Sequence, residues 1–310
     1  MRPALHDRFN GAALPALMLV SLLLPLFLLA GLGSVLAKAR FMTSNWQAGL
    51  NELTARLFIP ALLFSGAYKN GIPPLVSWQF FAAFFVPLLV LFIVAAYGFG
   101  RDAPRALAAT YSNTVFVGIP VLSRALGTDS LQYAFPVIAF HAVVAFSLYY
   151  LCGAAGTGLW SALLNVVKNP IVTSLMLGLA CNLLALALAQ LVMQILAMLS
   201  AAALPCALLA LGASLTRFRV HSWPETLLVV AAKLLVLPAC VSGLAALVFG
   251  LPAPATAVLV VIAACPVGVN AAALVQAEGR NPAQVGSAIL FSSIACIATI
   301  PLWLGIVHAL

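Results

Sequence analysis

Apolar runs of about 20 residues follow one another along this 310-residue chain, separated by short polar connections. A run of that length crosses the hydrocarbon core of a bilayer as a helix, whereas a barrel strand would alternate over about 10 residues. The pattern specifies an all-α membrane protein. No soluble domain fits beside it, because 65% of the residues are hydrophobic and only 6% are charged, against about 25% charged in a soluble globular protein. The mean hydropathy is +1.16. The formal net charge of +8 resides largely in short loops between spans, where basic residues set topology and give no reason to expect nucleic acid.

Ten spans are expected, at about 12–37, 47–68, 76–99, 104–126, 130–152, 166–187, 190–215, 224–249, 254–277 and 283–308. The first is too long for the apolar core of a cleaved signal peptide. Asn169-Pro170 and Asn281-Pro282 each pair an N-cap with a proline suited to the first helical turn, and Ser222 with Glu225 fits a capping box. The longest connection, over 153–165, is rich in Gly, Ala and Ser and divides the chain into five-helix repeats, 1–152 and 166–310. Lys38, Arg40, Arg101, Arg105, Lys168, Arg217, Arg219 and Arg280 fall on one side of the membrane; Arg2, Arg8, Lys69 and Arg124 share the other side with the termini. The excess places the first side in the cytoplasm, the chain in the cytoplasmic (inner) membrane and both termini outside.

The fourth span contains an interruption. Residues 112–122 read Ser-Asn-Thr-Val-Phe-Val-Gly-Ile-Pro-Val-Leu. Proline removes a backbone donor and clashes with the carbonyl four residues back, and glycine lowers the cost of leaving the helix, so Gly118 and Pro120 predict a break. Broken backbone at membrane depth is tolerated only against other protein or a cavity.

Two blocks of five spans run in opposite senses, so similarity between the halves signals an inverted repeat. Ile59-Pro60-Ala61-Leu62-Leu63 resembles Leu204-Pro205-Cys206-Ala207-Leu208, with Gly66 and Gly212 following. Ala125-Leu126-Gly127-Thr128-Asp129 aligns with Ala277-Glu278-Gly279-Arg280-Asn281, and without gaps this sets Asn113 to Gly118 opposite Cys265 to Asn270. Both halves then carry Pro, Gly and Asn inside corresponding spans, the best sequence pointer to a transporter's substrate site. Two half-helix N-termini facing a shared cavity suit an anion. Asn113, Thr114, Gly118, Gly268 and Asn270 are the candidate binding residues, with Pro120 and Pro266 shaping the breaks.

These residues carry a resemblance. Asn113-Thr114-x-x-x-Gly118-Ile119-Pro120 resembles the crossover helix of the auxin efflux carrier family, which includes plant PIN-type carriers and bacterial malonate-transporter-like proteins. Asn51 with Ile59-Pro60-Ala61-Leu62-Leu63-Phe64, Leu211-Gly212-Ala213-Ser214-Leu215 and Cys265-Pro266-x-Gly268-x-Asn270 are similar to the family's second, seventh and ninth spans. The resemblance implies a scaffold part and a transport part each built from both halves, fourth and ninth helices that cross where an organic anion binds, and elevator-like alternating access. Asn270-Ala271-Ala272, in place of the plant carriers' later proline, is nearer the bacterial pattern, and the plants' long loop between spans five and six is missing.

Arg56, Lys233 and His141 are titratable groups inside expected spans, where charge is costly. Glu52 precedes Arg56 by one turn and can pair with it; Lys233 has no such neighbour and either snorkels or faces an anionic substrate; His141 is either a hydrogen-bonded core residue or a proton carrier. The other acidic residues, Asp7, Asp102, Asp129, Glu225 and Glu278, lie in loops or at span ends. The six cysteines are scattered singly and read as packing residues, and no metal or cofactor is expected.

The expected function is secondary active transport of a small organic anion such as malonate. The expected partners are that anion, the lipid bilayer, a coupling proton or sodium ion and a second copy of the chain in a homodimer. A sodium-coupled bile-acid-type symporter is the alternative within transport; its crossing would favour acidic sodium ligands, which are lacking. A membrane-embedded enzyme would need a nucleophile–base pair, paired aspartates or a metal cluster inside the spans, and a passive channel a polar lining; neither pattern is present.

Overall fold

The computed structural model describes residues 16–71, 76–98, 100, 102–153 and 170–309. Arg2, Asp7, Arg8, Arg101, Lys168, Asn169 and the connecting loop over 154–165 lie outside the described residues. In chain order the α-helices are α1 (Ala16–Lys38), α2 (Ser44–Leu53), α3 (Ile59–Asn70), α4 (Trp78–Gly98), α5 (Ala103–Thr110), α6 (Ile119–Ala125) and α7 (Leu131–Gly153). They continue as α8 (Pro170–Leu183), α9 (Gln190–Leu215), α10 (Trp223–Ala231), α11 (Leu237–Ser242), α12 (Ala253–Ala264), α13 (Asn270–Ala277) and α14 (Ala283–Ala309).

Wide π-helical turns join several of these. Thr54–Phe58, Thr114–Gly118 and Ala232–Val236 each end two residues before a proline, namely Pro60, Pro120 and Pro238. Proline cannot donate to the carbonyl four residues back and pushes against it, and the wider turn accommodates that clash without ending the helix.

Among the described residues, five helices are long and apolar enough to cross a membrane: Trp78–Gly98, Thr128–Cys152, Gln190–Leu215, Trp223–Val248 and Ala283–His308. Leu23–Lys38, Thr114–Ala125, Val172–Leu183 and Ala253–Ala264 are shorter apolar helices. The expected fourth and ninth spans are each two half-helices, interrupted where Gly118 with Pro120 and Pro266 with Gly268 predict a break, so neither forms one long apolar helix. Large apolar side chains such as Leu28, Met198 and Leu247 are 62%, 76% and 80% exposed, which in a membrane protein is surface offered to lipid.

Packing separates the helices into two groups. In one, α1 lies along α9, α3 along α8, and α9 also along α3. Small residues let these backbones touch. A Cβ placed on Gly33 would land on the Leu209 carbonyl, and one on Gly178 would come within 2.5 Å of the Phe64 carbonyl. The two contacts correspond: Gly178 lies 145 residues beyond Gly33, and Leu209 lies 145 beyond Phe64. The other group comprises α4 to α7 and α10 to α14, with α12 at its centre, where every residue from Ala255 to Gly268 is buried. Between the groups, α1 meets α6 and α14, and α3 meets α7.

Polar ties define the two ends of the bundle. At one, Arg105 Nη2 reaches Glu225 Oε2 at 2.9 Å, and Arg217 donates to Gln47 Oε1 through Nε at 3.1 Å and Nη2 at 2.7 Å. At the other, Tyr68 donates to the Leu186 carbonyl at 2.8 Å and its own carbonyl accepts from Asn182 Nδ2 at 2.7 Å. Ser222 is the N-cap residue of α10 but its side chain makes no capping bond; Glu225, the other half of the expected box, is turned towards Arg105 instead. Asn281 does cap α14, accepting from Ala283 N at 2.9 Å.

Candidate functional site

α5 ends at Thr110 and α12 at Ala264, and the extended segments that follow cross inside the second group. Ser112 and Val267 form an antiparallel β-bridge. Asn113 N donates to the Pro266 carbonyl at 2.7 Å and Gly268 N to the Tyr111 carbonyl at 3.0 Å. The outward-facing amides of the bridge are met by side chains: Ser112 N donates to His141 Nε2 at 3.4 Å and Val267 N to Ser292 Oγ at 3.0 Å. Broken backbone at this depth is thus satisfied by protein.

The bridge is reciprocal, so Asn113 plays in the first half the part that Gly268 plays in the second. The gapless sequence alignment set Asn113 against Cys265 instead, three residues away. The difference lies between the bridge and the aligned glycines Gly127 and Gly279, which both adopt positive φ, 88° and 70°: the helical stretch there runs over Thr114–Ala125 in the first half and only Asn270–Ala277 in the second.

Asn113 is buried and is the N-cap of the following turn, its Oδ1 accepting from Phe116 N at 3.2 Å. Its Nδ2 is buried with no partner, a donor awaiting an acceptor. Thr114 is buried beside it. Gly118 faces the Cys265 sulfur, 3.3 Å from where a Cβ would stand. Gly268 lies under Tyr111, and a Cβ there would enter the ring. Pro120 and Pro266 are buried, the latter contributing its carbonyl to the bridge. Asn270 is exposed and its side chain hydrogen-bonds the Tyr111 side chain.

Three titratable groups were singled out from the sequence, and the structure sends them to different places. His141 is buried, stacks on Tyr111 at 5.0 Å with 5° between the planes, and meets Phe84 edge-on at 5.6 Å. Accepting through Nε2 requires that nitrogen to be unprotonated, and the ring is also hydrogen-bonded to the Thr110 backbone. Lys233 is fully buried behind the crossing and its Nζ donates to the Ala263 carbonyl. Arg56 is far from this chemistry in character: 72% exposed and 3.2 Å from Glu52 in the i,i+4 pair.

A cavity of about 830 Å³ opens beside the crossing, between the two groups of helices. Asn270, Val269 and Phe116 reach it from the crossing; Asn51 and Ser214 line it from the first group. Arg217, Arg219 and His221 stand along it, while no Asp or Glu belongs to its described lining. Sequence reasoning counted Arg217 and Arg219 only as topology signals and passed over His221. The signal available was their spacing, three basic residues two apart in one connection. Ser292 and Gln47 had no such signal, because their roles depend on which span lies opposite. Among the described residues no group of three His, Cys, Asp or Glu could hold a metal ion.

A family profile described as "Membrane transport protein" matches residues 18–154 and 159–304. An uncharacterized transporter of Methanothermobacter thermautotrophicus is 26% identical over 298 residues, covering 90% of this chain and 95% of that one.

Proposed function

Because the chain belongs to the membrane transport protein family, that of the auxin efflux carriers, we propose that it is a secondary active carrier for a small organic anion, malonate or a related carboxylate. The observation that carries this reading is the cavity: two arginines, a histidine and several amide side chains line it, and among the described residues no carboxylate does. Such a lining attracts anions and repels cations, and its low-dielectric walls lengthen the reach of the arginine charge. Asn270 at the inner end and the unpartnered Nδ2 of Asn113 behind it supply donors without the cost of burying a further charge.

In this reading the chain forms ten spans in the cytoplasmic membrane, as inverted repeats over 1–152 and 166–310. The matched contacts of Gly33 and Gly178 and the reciprocal bridge at Ser112 and Val267 support it. The first group of helices is the scaffold, and the group holding the crossing moves against it in elevator fashion.

Purified protein in proteoliposomes should accumulate labelled malonate above protein-free vesicles, and Asn270→Ala should depress that uptake about tenfold, the loss of one hydrogen bond to a charged group. Uptake and counterflow no better than protein-free vesicles across a panel of mono- and dicarboxylates would sink the substrate class.

A further inference from the structure

Breaking the ninth span leaves a helix C-terminus in the middle of the protein. The last carbonyls of α12 have no partner in their own helix, and the negative end of its dipole gathers there. In carriers built on broken helices, this is where unwound carbonyls and half-helix C-termini hold a coupling cation. Here a side chain already stands in that place. Lys233 comes from the wide turn Ala232–Val236 on the neighbouring span, is fully buried, and donates its Nζ to the Ala263 carbonyl, one residue before α12 ends. Among the described residues its ammonium pairs with no carboxylate, and the ionisable groups that bear on it are the Cys265 and Cys296 thiols, with His141 also close enough to sense its charge. The equivalent end of α5, in the first half, meets the neutral ring of His141 through Thr110.

We propose that Lys233 is a tethered cation that takes the place of a coupling ion at the crossing, so that this protein binds and moves its anion without an inorganic cation. While Lys233 is protonated its charge travels with the protein, lowering by one the net negative charge that a loaded carrier takes across the bilayer. Its consequence for coupling rests on the carrier reading above; the cation site does not, and it can be tested without any substrate.

The experiment is thermal melting of detergent-purified protein in sodium, potassium, methylammonium or choline chloride at equal ionic strength, for wild type, Lys233→Ala and Lys233→Met. Wild type should melt alike in all four salts. Lys233→Ala should melt lower in choline and regain several degrees in at least one small cation, which enters the emptied space. Lys233→Met fills the space with apolar carbon and should respond to none. A Lys233→Ala variant indifferent to the cation would overturn the proposal. So would selective stabilisation of wild type by sodium or potassium, which stands as a test even if both variants fail to fold. Loss of malonate transport with the cation response intact would count against the substrate reading alone.

Discussion

Asn113 is tied to the fold by one end of its amide and left open at the other: Oδ1 caps Phe116 N, and Nδ2 is buried without a partner. The two roles can be separated. Serine is a good N-cap but cannot present an amide donor, so Asn113→Ser should melt close to wild type while malonate uptake falls about tenfold, the worth of a hydrogen bond to a charged acceptor. Asn113→Ala should lose the uptake and also about 1 kcal/mol of stability through the missing cap. Equal uptake by Asn113→Ser and wild type in proteoliposomes would remove Asn113 from the binding set. The sequence exposed this residue because an amide beside Gly118 and Pro120 in an apolar run is costly without a purpose. It did not expose the difference between Asn113 and Asn270. The bridge makes Gly268 the counterpart of Asn113, so the two asparagines hold unequal positions, one buried as a cap and one in the cavity. Arg217 and Arg219 were legible as charges but not as cavity residues, since only the folded chain brings their connection beside the ninth-span break.

At the level of elements, the proline-led π turns decide where polar groups can stand inside otherwise apolar helices. Thr114 and Gly118 bound one such turn, Lys233 sits in another and Arg56 in a third. Proline favours the wide turn by clashing with the tighter one. Pro120→Ala should therefore let the segment relax towards regular α-helix, turning Phe116 out of the cavity wall and disturbing the cap at Asn113. The expected result is lost transport with a melting temperature unchanged or raised, a combination that simple misfolding would not give. The matched glycines offer a second test. Gly33→Ala and Gly178→Ala each drive a methyl into a backbone carbonyl and should each cost about 1–3 kcal/mol, whereas Gly31→Ala, with nothing within 4 Å, should be harmless. Melting of the three variants checks this, and a large inequality between Gly33 and Gly178 would weaken the case that they are counterparts. Run length identified the unbroken helices from sequence; hydropathy could not see that Cys265 to Val269 leaves the helix, because all of those residues are apolar or small.

For the whole molecule the deciding geometry is that the cavity lies between two groups of helices and is lined by the connection that carries Arg217, Arg219 and His221. That connection shares an end with Glu225 and Arg105 through the ties at Gln47, Ser287 and Glu225, the end that the excess of Lys and Arg predicts to be cytoplasmic. In that proposed orientation the cavity opens to the inside. Ala273 is exposed, small and part of the cavity wall, so a cysteine there reports access with little disturbance. A membrane-impermeant maleimide should label Ala273→Cys rapidly in inside-out vesicles and slowly in right-side-out ones, with the wild-type chain giving the background from its own cysteines. Excess malonate should slow labelling from the inside by occupying the cavity. If the crossing travels past the scaffold, external malonate should speed labelling from the outside, because cycling carries position 273 to that face; a fixed channel would label at a rate that substrate only ever lowers. Fast labelling from the outside alone would reverse the orientation, and with it the side from which the anion is taken up.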